Sequence, residues 1–81
     1  MTAPHKRYVP PSTTYRVEIS EVWSDKTYTR PYENNRRAAQ SFARRETRKT
    51  NKVAYVIESV DGIDREQMFY SNGVGHGWER K

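Results

Sequence analysis

The amino-acid sequence predicts a small single α+β domain of ββαββ order, an antiparallel or mixed four-stranded sheet with one basic helix across one face. Three observations predict it. Apolar and polar residues alternate over Tyr15–Trp23, and apolar residues recur at helical spacing between Asn34 and Lys52. A strongly apolar run, Val53–Val60, is then followed by the turn pair Asp61-Gly62. Strands before and after a single helix bury a core most simply as one helix laid on one sheet.

Length and composition set the limits. The 81 residues leave room for one small domain. Hydrophobic residues make up 33% of the chain, a low share, but the 12% of aromatic residues argues against wholesale disorder. Without cysteine there are no disulfides and no thiolate metal sites. No apolar run approaches the roughly 18–20 residues of a membrane span, and the first residues lack the apolar stretch of a secretory signal. A cytoplasmic protein without a membrane partner is expected.

Residues 1–13 contain Pro4, Pro10 and Pro11 beside Lys6 and Arg7 and little to bury, so they read as a flexible basic arm. In the first strand Tyr15, Val17 and Ile19 alternate with Arg16, Glu18 and Ser20; the phase slips at Ser20–Glu21, where a bulge or the strand's end is expected. Ser24-Asp25-Lys26 turns the chain into a second strand, Thr27–Tyr32. Pro31 cannot donate to a ladder and confines that strand to an edge.

The helical stretch, Asn34–Lys52, is the element around which the charge is organised. It holds seven of the fifteen Lys and Arg residues and one acid, Glu46. Its net charge is therefore +6 in a chain of net +5, so the basic excess sits on this one element. At 100° per residue, Ala38, Ala39, Phe42, Ala43 and Glu46 share the inward sector. Arg37, Ser41, Arg44 and Arg48 lie opposite, with Arg36 and Arg45 on the flanks and Lys49 following. Asn34 or Asn35 suits the N-cap, and Asn51 suits a left-handed C-terminal position. An inward stripe of alanines should lie close on a flat sheet. Phe42 is its one large anchor, and truncating it to alanine is expected to cost roughly 3–5 kcal/mol if the ring is fully buried.

Val53–Val60 is apolar on both faces at first, which suits an interior strand, and Arg65–Tyr70 follows as the fourth. The domain thus spans residues 14–70. Residues 71–81, SNGVGHGWERK, have three glycines and no periodicity and read as a flexible tail in which Trp78 alone wants a partner. A helix covers one sheet face only. The other would expose an apolar set, so a homodimer through the open face is a further expectation.

Catalytic chemistry finds no support in the residues. His5 and His76 have no metal-ligand spacing around them, no serine sits in an elbow such as GxSxG, and GVGHG lacks a Walker lysine. A non-enzyme needing no cofactor and no metal is expected. Small size, missing cysteines and a compact basic helix are in keeping with accessory proteins of phages or mobile elements, although no motif carries that likeness. The first functional expectation is a nucleic-acid-binding accessory module, weakly sequence-specific. Arg37, Arg44 and Arg48 would face phosphates, flanked by Arg36, Arg45 and Lys49, with Lys6 and Arg7 adding reach. The alternatives are docking of the same basic face on an acidic protein surface, and a structural homodimer whose helix is merely solvated.

Overall fold

The computed structural model describes residues 12–49 and 51–81. Its elements are β1 (Thr13–Glu21), β2 (Thr27–Pro31), α1 (Arg36–Thr47), β3 (Lys52–Val60), β4 (Ile63–Ser71) and β5 (Val74–Arg80). All neighbouring strands are antiparallel, in the order β2-β1-β3-β4-β5. The α+β class and the single helix on one sheet stand as expected, but the sheet has five strands rather than four. β2 is an edge strand, as Pro31 requires, and β3 is interior. β1 runs in continuous register to its end at Glu21, so the phase slip there is a strand end; the register shifts lie instead in the β3–β4 ladder at Glu58/Ser59 and in the β4–β5 ladder between Met68 and Tyr70.

The fifth strand corrects the expected tail. Asn72 and Gly73 both have positive φ, 52° and 77°, which is the backbone of a two-residue hairpin turn, and β5 folds back along β4. Asp61 and Gly62 make the matching turn between β3 and β4, at φ 52° and 82°. That turn is tight, so β4 begins at Ile63 rather than Arg65. Of the expected N-terminal arm, residues 1–11 with Lys6 and Arg7 lie outside the described residues, and Thr13 already belongs to β1.

Register decides which side of each strand meets the helix. Val17 pairs with Val56 and Ile19 with Ala54, while Val56 pairs with Met68 and Ala54 with Tyr70. These side chains form the core together with Tyr15 and with Ala39 and Ala43 of α1. Alanine has little bulk, so the helix axis can approach the sheet closely. The helix is shorter than the periodic stretch. Asn35 is its N-cap, the side chain accepting the Ala38 amide at 3.0 Å. It ends at Thr47 with no left-handed residue at Asn51, whose carbonyl instead accepts the Val22 amide at 2.8 Å.

The inward stripe is rotated from the expected one. Ala39, Ala43 and Thr47 are buried, four residues apart, while Ala38, Phe42 and Glu46 are half-buried. Phe42 packs at the edge of the core, 5.7 Å from Tyr32 between ring centroids. Its truncation to alanine should therefore cost about 1–2 kcal/mol, short of the value for a fully buried ring. Urea unfolding of Phe42→Ala measures this; a loss above about 3 kcal/mol would mean the ring is a core anchor after all. Thr47 ties the helix to the last hairpin. Its hydroxyl donates to the Ala43 carbonyl at 2.8 Å and accepts the Gly73 amide at 3.1 Å.

Across the open face, Val53, Tyr55 and Ile57 are the apolar set. Ile57 is only 1% exposed although no helix covers it, because its cross-strand partners Arg16 and Gln67 flank it. Tyr55, 38% exposed, stacks at 5.0 Å on Phe69. The uncovered apolar surface is thus smaller than the sequence implies. Arg16 grips Asp64 with two bonds of 2.8 Å and also holds Glu18 at 3.0 Å, and Ser59 donates to Asp64 at 2.6 Å. This network crosses β1, β3 and β4.

The fork from Arg16, with the Ser59 bond, holds the Asp64 carboxyl well below the usual carboxylate range. A depressed folded-state pKa contributes stability above the ordinary value near 4 and loses it as pH falls further. The stability gap between the wild type and Asp64→Asn should accordingly be present at pH 7 and narrow steadily below about pH 4. Melting curves at pH 7, 4 and 2.5 test it, and a gap constant with pH would exclude the ion pair as its source.

Candidate functional site

The exposed side of α1 is the strongest concentration of charge in the described structure. Twelve residues of helix carry Arg36, Arg37, Arg44 and Arg45, and Arg48 is the C-cap. Arg37, Ser41, Arg44 and Arg48 form the solvent ridge, all exposed, as the helical phase predicts. From Arg37 to Arg48 the ridge runs roughly 16 Å at 1.5 Å per residue. Among the described residues none of Arg37, Arg44, Arg45 and Arg48 is in an ion pair. The first turn has no acid, so Arg36 and Arg37 oppose the helix dipole, whereas Arg44 and Arg45 in the last turn complement it.

The last hairpin holds one end of this ridge in place. A Cβ added at Gly73 would lie 2.7 Å from Arg48 Cγ and 3.3 Å from its Nε. Arg48 therefore lies with its stem on the Asn72-Gly73 turn and its head in solvent, an arrangement that only a glycine at that position admits.

The flanking residues divide into two groups. Arg36 does not stand free on the ridge: its guanidinium lies over the Trp78 ring, 4.5 Å from the centroid. It also sits beside the Tyr15 hydroxyl, which donates to Glu58 at 2.8 Å. Burial, with the Glu58 bond next, raises the Tyr15 pKa despite that arginine. Trp78 thereby finds the partner it lacked in the sequence. Lys49 is exposed but paired with Glu46 at 3.3 Å, and Lys52 reaches the same carboxylate at 3.4 Å. Arg45 lies on the β2 side, 5.5 Å from the Phe42 centroid.

On that β2 side the structure adds residues that sequence reasoning missed. Arg30 of β2 lies 4.9 Å from the Phe42 centroid and 5.3 Å from that of Tyr32, so Arg30 and Arg45 share one aromatic ring. Lys52 donates to the Tyr28 hydroxyl at 2.6 Å. The alternation of β2 puts Tyr28, Arg30 and Tyr32 on one side; what the sequence lacked was which side faces α1. The basic surface therefore extends from the helix ridge down over the β2 flank. Such a surface can hold a polyanion through charge-assisted hydrogen bonds, with arginine forks suited to phosphate oxygens.

Other reactive groups do not assemble. Ser71 Oγ and His76 Nε2 lie 2.9 Å apart on the open face, with His76 5.6 Å from Phe69, but both are solvent-accessible and no carboxylate orients the imidazole. Among the described residues no three His, Cys, Asp or Glu side chains come together as a metal site. No helix there is long and apolar enough to cross a membrane. Comparison with family models, with curated proteins and with solved structures finds no match to this chain.

Proposed function

We propose that the protein is a non-enzymatic nucleic-acid-binding accessory module that places the α1 ridge on a phosphate backbone. The observation that carries this is the ridge itself, Arg37, Arg44 and Arg48 exposed in line without a carboxylate partner among the described residues. Stability alone gives no reason to place Arg37 at the positive end of the helix dipole, and an anion there relieves that conflict. The ridge carries few groups suited to reading base edges, so affinity comes mostly from phosphates and varies little with sequence.

Titration of labelled duplex and labelled single strand at low salt, followed by fluorescence anisotropy, tests the proposal. Binding that weakens as salt rises is the expected result. No binding of either probe at about 100 μM protein, where non-specific contacts should register, would overturn it. The same ridge would then be assigned to an acidic protein surface, where charge steering works in the same way.

A further inference from the structure

Two arginines from different elements converge on the β2 flank. Arg30 of β2 lies 5.3 Å from the Tyr32 ring centroid and 4.9 Å from that of Phe42. Arg45 of α1 lies 5.5 Å from the same Phe42 centroid, and the two rings stand 5.7 Å apart. Both arginines are exposed, and among the described residues neither is in an ion pair. Glu46, the one acid of α1, is held by Lys49 and Lys52 instead.

This convergence leaves two like charges close together with no carboxylate to offset them. The rings hold the charges there. A guanidinium that rests its face on a ring keeps its N–H donors, which lie in its own plane, for another partner. The forks of Arg30 and Arg45 are therefore placed without their hydrogen-bonding edges being used. Placing them beforehand reduces the entropy lost when an anion binds. Each stands in contact with Phe42, so a group at the exposed edge of that ring is within reach of both.

We infer that Arg30 and Arg45 form a clamp for one phosphate monoester, the terminal phosphate of a nucleic-acid strand. The choice of anion follows from charge and from the number of acceptors. A monoester carries close to two negative charges at neutral pH and three acceptor oxygens, which matches two cationic forks. A backbone phosphodiester or a carboxylate carries one charge and would leave one arginine uncompensated. The inference rests on the nucleic-acid reading above for what bears the phosphate, and it adds a preference for phosphorylated ends to the ridge's hold on the backbone.

The test measures one ratio, the affinity for a short duplex with 5′-phosphate ends over that for the same duplex with hydroxyl ends. The wild type should show a ratio of roughly ten, the low end for hydrogen bonds to a charged group because the site is exposed. Arg30→Gln and Arg45→Gln should each bring the ratio near one while melting within a few degrees of the wild type. A second arm uses inorganic phosphate alone. At about five times its dissociation constant it should raise the wild-type melting midpoint by roughly 4–8 °C over chloride of equal ionic strength, and Arg30→Gln should lose that rise. A wild-type ratio of one, or a ratio that survives both substitutions, would overturn the clamp and leave the ridge proposal standing. If the wild type binds neither duplex, the nucleic-acid reading falls and the second arm decides the clamp. A phosphate-dependent rise that Arg30→Gln abolishes would keep it for a monoester from another source, and no such rise would overturn it as well.

Discussion

Tyr70→Ala should unfold much of the protein at physiological temperature. Tyr70 is the largest fully buried side chain of the described residues, 1% exposed, in the core cluster beside Ala54, its partner across the β3–β4 ladder. Its ring occupies space left by Gly75: a Cβ there would stand 2.9 Å from Tyr70 Cζ and 2.7 Å from Met68 Sδ. With its neighbours fixed in strands, the site cannot collapse when the ring is removed. Aromatic-to-alanine changes in cores cost roughly 3–5 kcal/mol. A domain of this size has in total only about 4–12 kcal/mol of stability. A fall in melting midpoint of roughly 12–40 °C follows, at 4–8 °C per kcal/mol. Circular dichroism would measure it. If Phe42→Ala proved more damaging than Tyr70→Ala, the helix would have to be rotated from the Ala39–Ala43–Thr47 stripe.

The second large effect belongs to the basic ridge. Arg37, Arg44 and Arg48, with Arg45 on the flank, offer three to four contacts to a duplex backbone. Counterion release then gives log K a slope against log salt of roughly −2.7 to −3.6. Between about 50 and 200 mM salt that is a loss of roughly 40- to 150-fold. Replacing Arg37, Arg44 and Arg48 together by glutamine should flatten the slope by about 2.7 units and weaken binding on every sequence tested. Glutamine keeps the Cγ that Arg48 lays on Gly73, and exposed positions tolerate such changes within about 0.5 kcal/mol each. An unchanged slope in a folded triple variant would place the phosphate contacts elsewhere.

The two expected losses lie on opposite sides of the same helix. A residue such as Ala43 is buried because the sheet must approach closely, and Arg44, the next along the chain, is exposed because charge cannot follow it inward. Stability and binding are therefore separable by mutation. That separation is what gives the salt experiment its meaning, since a variant that binds poorly can be shown to be folded.

Much of this arrangement was legible in the residues. The ridge of Arg37, Ser41, Arg44 and Arg48 follows from a 100° step, and an asparagine N-cap, Asn34 or Asn35, from the capping preference of that side chain. The interior place of β3 follows from apolar residues on both faces, and the edge place of β2 from Pro31. β5 was missed for a physical reason. Glycines at positions 73, 75 and 77 erase the alternation that marks a strand, although the pair Asn72-Gly73 carries the hairpin signal by itself. Gly75 is there because Tyr70 needs the room, and a strand thinned to accept a neighbour's ring looks in sequence like a linker.

By itself the sequence determined most of the local choices: four of the five strands, the single helix, and that the helix's outer side is positive. Those follow from periodicity, propensity and caps, which act over a few residues. Only the tertiary structure decided which residues share a surface. It laid the flanking Arg36 over the Trp78 ring, and it drew Lys49 towards Glu46. It also brought Arg30 and Tyr28 from β2 to the flank of the helix. Each of these joins residues far apart in the chain, through the pairing of strands and the side of the sheet on which the helix lies. No window of local sequence contains that information, because register and facing are set by the burial of the whole core at once.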